Sequence, residues 1–304
     1  MSKLLTVFGA TGNQGGSVIR AVLNDPVLSK EFRIRAITRD VSKPAAKELV
    51  AKGVEVVAAD MSSAEQAAPA VEGAHTVFLV TNYWETMSAE VELSHGKAVT
   101  DASKAAGVQH LIFSSELNTT EISNGALPNL HHYVSKANIE QYIRDSGVPG
   151  TFVLAGFFMS NLFEAIRKSE DGSYALALPV SSDKAQVPLF DARNDTGKFA
   201  VAAIKHYPSS VNERILAATE YYTPARIMSE FSEAIGKPAV SVQIPAEVFK
   251  SFLPHAAQEL LENMLLLEEP GYYNGADLSE SLSRLSEKPT TWKQFVEQNK
   301  DQWA

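Results

Sequence analysis

Three glycines near the start of the chain, Gly9, Gly12 and Gly15, are spaced three residues apart in the stretch VFGATGNQGGSV. They follow an apolar segment with the pattern of a strand and precede an amphipathic segment with the pattern of a helix. Glycine permits a tight turn and lets the backbone approach a phosphate, and a helix N-terminus attracts anions. We therefore predict a dinucleotide-binding turn here, with a turn that merely packs as the alternative. Its predicted residues are Gly9, Thr11, Gly12, Asn13, Gln14 and Gly15.

Basic residues follow the second predicted strand, where a dinucleotide-binding domain selects its cofactor. An acidic residue there binds the ribose 2′-hydroxyl of NAD, whereas a basic residue accepts the 2′-phosphate of NADP. In the stretch ITRDVSK, Arg39 stands at this place and Lys43 lies about one helical turn further on. NADP(H) is therefore predicted to bind in preference to NAD(H), with a solvated surface as the alternative role of both residues. The adjoining Asp40 is predicted to cap the next helix.

Asp60 and Met61 follow the third predicted strand, in the stretch VEVVAADM. Because ligands of open α/β sheets bind at the carboxyl ends of the strands, we predict that both residues border the adenine. A turn residue at the strand end is the alternative for Asp60.

Six short apolar segments alternate with amphipathic ones over the first half of the chain. Such alternation is typical of right-handed βαβ units with a parallel sheet. The predicted strands are residues 3–8, 33–38, 54–59, 75–80, 110–115 and 151–155. The predicted fold class is therefore α/β, a doubly wound Rossmann-type parallel sheet.

Beyond residue 155 the alternation weakens, and residues 168–190 have the pattern of short strands or loops. Helical patterns return at 192–207, 223–236, 245–269 and 289–303. We predict two regions, a Rossmann domain over residues 1–155 and a smaller, mainly helical C-terminal lobe over residues 156–304. Some strands of the second region are expected to return to the main domain.

The composition limits the function classes. The chain has 304 residues, no cysteine and a formal net charge of −9. Thiolate catalysis, disulfides and cysteine-ligated zinc are therefore excluded, and no metal site is predicted. The negative charge opposes direct binding of nucleic acid. We recognise neither a signal peptide nor the ~20 apolar residues of a membrane span, so a cytoplasmic location is expected, with the nucleus as a second compartment.

Several segments together resemble the NmrA-like family, an atypical branch of the short-chain dehydrogenase/reductase superfamily. The likeness extends over roughly residues 3–300, is greatest to the redox sensors of the HSCARG type, and rests on VFGATGNQGGSV, TRD, AAKEL, GVEVVAAD, VTNYWE, GVQHLIFSS and SKANIEQYIRDSGVPGTFV. The resemblance implies a Rossmann domain with a small C-terminal lobe that binds NADP. In several members it implies regulation, in which cofactor occupancy governs binding to a transcription factor or signalling protein. Other relatives, similar to quinone and isoflavone reductases, transfer hydride.

The resemblance also implies which residues surround the nicotinamide. In short-chain dehydrogenases, a tyrosine four residues before a lysine acts as general acid. Here Tyr133 precedes Lys136 by only three residues, which turns its side chain by about 100° around a helix axis, unless Tyr133 precedes the first helical turn. Lys136 is therefore the catalytic candidate only if the chain is an enzyme, with Tyr133 and His132 as alternatives. The residues implied at the nicotinamide are Thr81, Asn82, Tyr83, Lys136, Phe157 and Asn161.

Two functions stay open at this point. The displaced tyrosine favours a regulatory NADP(H) sensor whose cofactor occupancy modulates the binding of a protein partner. The alternative is an NADPH-dependent oxidoreductase that transfers hydride to a small substrate. A homodimer also stays open. Residues 116–129 lack periodicity and are predicted to form a lid over the cofactor or a disordered loop.

Overall fold

The computed structural model describes residues 2–303. Strands and helices are numbered along the chain. The strands are β1 (Lys3–Val7), β2 (Phe32–Thr38), β3 (Glu55–Ala58), β4 (Thr76–Leu79), β5 (His110–Ser115), β6 (Gly150–Ala155), β7 (Phe157–Phe158), β8 (Ile166–Lys168), β9 (Tyr174–Leu178), β10 (Val187–Phe190), β11 (Arg214–Ala217), β12 (Glu220–Tyr222) and β13 (Ala239–Gln243). The helices are α1 (Asn13–Asn24), α2 (Leu28–Glu31), α3 (Pro44–Ala51), α4 (Ala64–Val71), α5 (Ala89–Ala105), α6 (Thr119–Ile122), α7 (His131–Ser146), α8 (Leu162–Ala165), α9 (Ala192–Lys205), α10 (Pro224–Ile235), α11 (Ala246–Ser251), α12 (Ala257–Leu265), α13 (Ser279–Ser283) and α14 (Trp292–Gln298).

Seven strands form a parallel central sheet in the order β11-β6-β5-β4-β1-β2-β3. The order reverses between β1 and β4, because the chain starts in the middle of the sheet and builds outward to both edges. This topology confirms the predicted fold class. Six of the strands are the predicted ones. The seventh, β11, is four residues long and pairs with β6, so that the second half of the chain completes the sheet.

Side chains of the central strands alternate between two cores, one on each face of the sheet. In β1, Leu5 and Val7 face the core under α1 and α9, whereas Leu4 and the following Phe8 face the other core. Helices α1 and α9 lie close together, because Gly197 of α9 has no side chain: a Cβ there would lie 2.4 Å from the Ser17 carbonyl oxygen. The second half of the chain thus also covers one face of the Rossmann domain.

The C-terminal lobe contains two three-stranded sheets, β12-β10-β7 and β13-β9-β8, together with α10 to α14. Trp292 fixes the start of α14 in its core, where its indole donates a hydrogen bond to the Ile227 carbonyl at 2.8 Å. The helix predicted over 245–269 is wrong as one element. It is divided into α11 and α12 around Pro254, and Ala256 has a positive φ of 49°. Proline within a helix removes a backbone donor and disrupts the preceding turn.

Residues 116–129 also differ from the prediction of a lid over the cofactor or a disordered loop. Asn118 caps the short helix α6 with its side-chain oxygen, and Leu117 and Leu127 are buried in the core. Only Glu116 of this segment lines the cleft described below. Within residues 2–303, no helix combines the length and the apolar character that crossing a bilayer demands.

Candidate cofactor and substrate site

A cleft of about 2110 Å³ opens at the carboxyl edge of the seven-stranded sheet and continues into the C-terminal lobe. We call the part formed by residues 9–15, 37–43 and 59–61 the turn half. The part formed by residues 80–85, 114–116, 132–136 and the lobe is the lobe half. Every residue that the sequence singled out for cofactor or catalysis lines this cleft, namely Gly9, Thr11, Gly12, Asn13, Gln14, Gly15, Arg39, Lys43, Asp60, Met61, Thr81, Asn82, Tyr83, His132, Tyr133, Lys136, Phe157 and Asn161.

The glycine turn has the geometry that a diphosphate requires. Gly9 has a φ of +63°, and a Cβ at Gly15 would lie 2.4 Å from the Gly9 carbonyl oxygen, so both positions need glycine for the turn itself. Gly12 has an ordinary extended conformation and is the N-cap of α1, where no side chain caps the helix. The first N–H groups of a helix lack intrahelical acceptors, and α1 has no acidic residue in its first turn. The turn therefore fits an anionic diphosphate.

Arg39 and Lys43 lie at the outer end of the turn half. The Arg39 side chain is 67% exposed and forms an ion pair with Glu85, in a short 3-10 helix that follows β4. Glu85 was not identified from the sequence. A 2′-phosphate at this place would compete with Glu85 for the Arg39 guanidinium.

The two acidic residues of the turn half form local turns. The prediction that Asp40 caps α3 is wrong: the N-cap is Lys43, and the Asp40 carboxylate instead accepts bonds from the Ser42 amide and hydroxyl at 2.8 and 2.6 Å. Asp60 similarly accepts a bond from the Ser62 amide at 2.7 Å and lines the cleft. Asp60 therefore forms the strand-end turn that was its alternative role, and its place beside the adenine stays a prediction.

Lys136 extends from α7 into the lobe half, where its ammonium group has partners within the protein. Its ammonium forms an ion pair with Glu92 of α5, whose side chain is fully buried, and lies 3.1 Å from the Thr81 hydroxyl. The same carboxylate accepts a 2.7 Å bond from the Thr81 hydroxyl and a further bond from Ser135. Glu92 was missed in the sequence, although it shares the buried face of α5 with Gly96 and Val99. An acidic residue at helical spacing from apolar or small residues indicates a buried carboxylate, so the sequence could have identified Glu92.

Tyr133 does not take the place of a general acid beside Lys136. Helix α7 begins at His131, so both residues lie within the helix, three positions apart. The Tyr133 hydroxyl donates a 2.9 Å bond to Asn263 of α12. Burial, and next the charge of Glu116, raise the pKa of Tyr133 well above its ordinary value. The tyrosine therefore joins α7 to the lobe.

A second bridge to the lobe is made by Glu259 of α12. One carboxylate oxygen accepts a bond from the backbone amide of His132, whose ring also contacts it, and the other accepts a 3.0 Å bond from Tyr83. Burial raises the pKa of Glu259, but the bonds from His132 outweigh burial, and the net pKa is below the ordinary value. Burial and the Glu259 charge raise the pKa of Tyr83 to about 12. His132 is thus a bonded partner of Glu259.

The serines at the end of β5 serve different neighbours. Ser114 donates a 2.7 Å bond to Gln14 of the glycine turn and lines the cleft. Ser115 donates a 2.6 Å bond to the buried Glu140 of α7. Glu116, the next residue, is 9% exposed and lines the cleft as well.

Beyond these polar groups the lobe half is lined mainly by apolar side chains, and its further polar residues are Ser160, Asn161, Glu164, Arg167, His255, Asn263 and Gln302. Its walls come from β7, β9, β10, α10 and α12, and its outer rim comes from the break between α11 and α12. The apolar residues are Phe157, Leu162, Phe163, Leu176, Leu178, Val187, Ile227, Phe249, Phe252, Leu253, Leu260, Met264 and Leu267. Ligand sites are commonly about 300–1,000 Å³, so the cleft has room for a dinucleotide and a second molecule.

The chain matches the model of the NmrA-like family over residues 1–296. It is 32% identical over 253 residues to the NmrA-like family domain-containing oxidoreductase ptmS of Penicillium ochrochloron, covering 77% of this chain and 74% of that protein. It is 30% identical over 273 residues to the nitrogen metabolite repression protein nmrA of Emericella nidulans, covering 86% and 73%.

Solved structures of NmrA, a negative transcriptional regulator, have the same fold. The complex with NAD superimposes with a TM-score of 0.82 and the complex with NADP with 0.80. Both are 23% identical to this chain and cover 98% of it and 95% of the solved chain. The particular likeness to redox sensors of the HSCARG type stays a prediction.

Proposed function

The chain belongs to the NmrA-like family, and from this premise we propose that it binds NADP(H), in preference to NAD(H), and reduces a small, largely apolar substrate. One observation carries the proposal: the cleft continues past Lys136 into a chamber within the lobe whose walls are mainly apolar. A site that only senses a dinucleotide needs no such space. Relatives named oxidoreductases support the same conclusion.

The residues of this chain have separate tasks in the proposed reaction. The glycine turn and the N-terminus of α1 bind the diphosphate, and Arg39 with Lys43 binds the 2′-phosphate. Lys136 bonds the nicotinamide ribose from its place beside Thr81. The apolar walls hold the substrate and exclude water. A bound reduced nicotinamide supplies the hydride.

The test is oxidation of NADPH by the purified chain with a panel of apolar acceptors, namely phenanthrenequinone, aromatic aldehydes and ketones, and dihydroisoquinoline. We expect turnover with at least one class. Met264 lines the chamber and is buried. Replacing Met264 by Trp should reduce turnover while NADPH affinity, measured by calorimetry, is unchanged. No turnover with any class would reject catalysis in favour of the second candidate.

That second candidate is a regulatory protein in which NADP(H) occupancy controls binding to a transcription factor or signalling protein. A specific observation favours it. Glu259 joins α12 of the C-terminal lobe to both Tyr83 and His132, which lie in the first half of the chain, so the lobe is bonded to the Rossmann domain at two points of the cleft. Beside them, Trp84 and Met87 are exposed, at 42% and 52%. Hydrogen exchange in residues 83–87 and 257–265 should slow on addition of NADP, and an unchanged pattern there would remove this candidate.

A further inference from the structure

We propose that Glu116 is the proton donor of the reduction carried out in the cleft, an inference that rests on the proposed function. The substrate class that follows is an apolar molecule with a neutral carbonyl or imine group. Such a group must gain a proton on its heteroatom when its carbon gains hydride. The residue was not a candidate in the sequence, because a single glutamate after a strand carries no pattern.

Glu116 has the right place in the fold. It follows the last residue of β5, at the carboxyl edge of the sheet where ligands of open α/β sheets bind. The residue is 9% exposed and lines the cleft between the glycine turn and the chamber. Ser114 two residues earlier contacts Gln14, which places the end of β5 directly beside the dinucleotide turn.

The carboxyl of Glu116 is unpartnered, in contrast to its polar neighbours. No hydrogen bond reaches it from any residue between 2 and 303, and the one bond of this residue that involves a side chain is accepted by its backbone carbonyl from Ser115. Lys136 is held by Glu92, and Tyr133 by Asn263. Buried polar groups normally have partners, so a carboxyl left open toward a cleft points to a ligand group that completes its bonding.

The surroundings of Glu116 favour the neutral acid. From α7 it faces Lys136 and Tyr133, from α5 Glu92, and from the segment after α12 Tyr272 and Tyr273. Burial, with the Glu92 charge adding to it and the Lys136 charge opposing it, raises the pKa of Glu116 well above its ordinary value. Burial also raises the pKa of the phenols of Tyr133 and Tyr272, so these are the poorer acids.

The proton and electron balance is simple. Hydride adds to the carbon of the C=O or C=N group, the π bond breaks, and its electron pair moves to the heteroatom. That heteroatom forms a bond to hydrogen as the O–H bond of Glu116 breaks, which leaves an alcohol or amine and a carboxylate. The Lys136 charge stabilises the carboxylate, which regains its proton from solvent.

The experiment compares the unmodified chain with Glu116→Gln and with the control Glu170→Gln. Glu170 is an exposed carboxylate outside the lining of the cleft, so the control removes one negative charge and leaves the cleft unaltered. The acceptors are phenanthrenequinone and an aromatic aldehyde, whose carbonyl oxygens are neutral and must gain a proton on reduction. We expect Glu116→Gln to lower kcat by about 100-fold or more, a usual contribution of general acid catalysis, with unchanged NADPH affinity by calorimetry. Glu170→Gln should keep the kcat of the unmodified chain.

Infrared spectroscopy supplies a readout that does not depend on turnover. The carbonyl stretch of a protonated, buried carboxyl should be present at neutral pH in the unmodified chain with NADPH and absent from Glu116→Gln. An ionised Glu116 in that complex, or equal kcat in Glu116→Gln and an active unmodified chain, overturns the assignment and leaves the proposed reductase intact. An unmodified chain inactive with every acceptor of the panel overturns the reductase, and this assignment with it.

Discussion

The two halves of the cleft are built in opposite ways. In the turn half the two carboxylates make local contacts: Asp40 bonds Ser42 and Asp60 bonds Ser62, each two residues apart. Its longer contacts, Arg39–Glu85 and Gln14–Ser114, reach the lobe half, and Arg39 is mostly exposed. In the lobe half most contacts join residues 43 to 176 positions apart, from Ser135–Glu92 to Tyr83–Glu259, and most are buried. The turn half is therefore ready to accept a ligand without loss of structure, whereas the lobe half is part of what holds the two regions together.

This contrast predicts that substitutions in the lobe half act on stability. Replacing Glu92 by Leu leaves the Lys136 ammonium, only 15% exposed, without its counter-charge. Breaking a buried ion pair on one side destabilises by about 3–5 kcal/mol. We expect the free energy of unfolding, measured with urea at neutral pH, to fall by about 3 kcal/mol, since Lys136 keeps its contact with Thr81 and some access to water.

The control for Glu92→Leu is Glu90→Gln, an exposed acid in the same helix turn, which should change the stability only slightly. The double variant Glu92→Leu with Lys136→Met should recover much of the loss, because it replaces both charges by apolar groups. If the single variant Glu92→Leu is as stable as the unmodified chain, the prediction that substitutions in the lobe half act on stability is wrong.

Substitutions in the turn half should instead act on binding. A Cβ at Gly12 would lie 3.3 Å from the Gly9 carbonyl oxygen, a tight contact that a small shift relieves, but it would project where the diphosphate approaches. We expect Gly12→Ala to weaken NADP(H) binding by about 100-fold, or about 2.8 kcal/mol, in calorimetry. Thermal stability without cofactor should change little.

The control for this variant is Gly16→Ala, one helical turn further on. Its Cβ would meet only the flexible Arg20 side chain at 3.3 Å and a carbonyl oxygen at 3.4 Å. Gly16→Ala should bind NADP(H) normally. Equal affinities for both variants would place the diphosphate away from this turn.

The same contrast explains what could be read from the sequence. The glycine turn, the basic pair after β2 and six central strands are local patterns, and each was predicted with close boundaries. Glu259 and Asn263 could not be found in this way, because their role depends on the packing of α12 against α7. No local sequence pattern predicts that tertiary contact. The break at Pro254 was readable but overlooked, since the apolar periodicity continues on both sides of it.

A smaller effect is expected at the outer end of the turn half. Replacing Arg39 by Ala should reduce the preference for NADP over NAD by about tenfold, because a charge-assisted bond contributes about 1.5–3 kcal/mol. Stability should be almost unchanged, since exposed ion pairs such as Arg39–Glu85 contribute little. Arg33→Ala, which removes an exposed ion pair between Arg33 of β2 and Glu55 of β3, is the control and should keep the preference.

Glu85→Gln tests the same role of Arg39 by removing its partner in the ion pair. Because Glu85 competes for the Arg39 guanidinium, its removal should raise the affinity for NADP and leave the affinity for NAD unchanged. If both affinities rise together, Glu85 acts on the whole cofactor and not on the 2′-phosphate.

The smallest effects are expected from two isosteric replacements, Asp40→Asn in the turn half and Glu116→Gln in the lobe half. They should change the pH dependence of stability in opposite directions. Bonds from Ser42 hold the pKa of Asp40 below its ordinary value of 3.8, so Asp40 stabilises the fold above that pH and loses this effect as pH falls. Burial raises the pKa of Glu116 above 4.5, so the unfolded chain releases this proton first, and stability is lost as pH rises above 4.5 toward the folded pKa. In thermal denaturation, the Tm of the unmodified chain relative to that of Asp40→Asn should therefore fall as the pH is lowered. Its Tm relative to that of Glu116→Gln should fall as the pH is raised. A loss in the same direction for both variants would mean that the two carboxyls sit in equivalent surroundings, contrary to the structure.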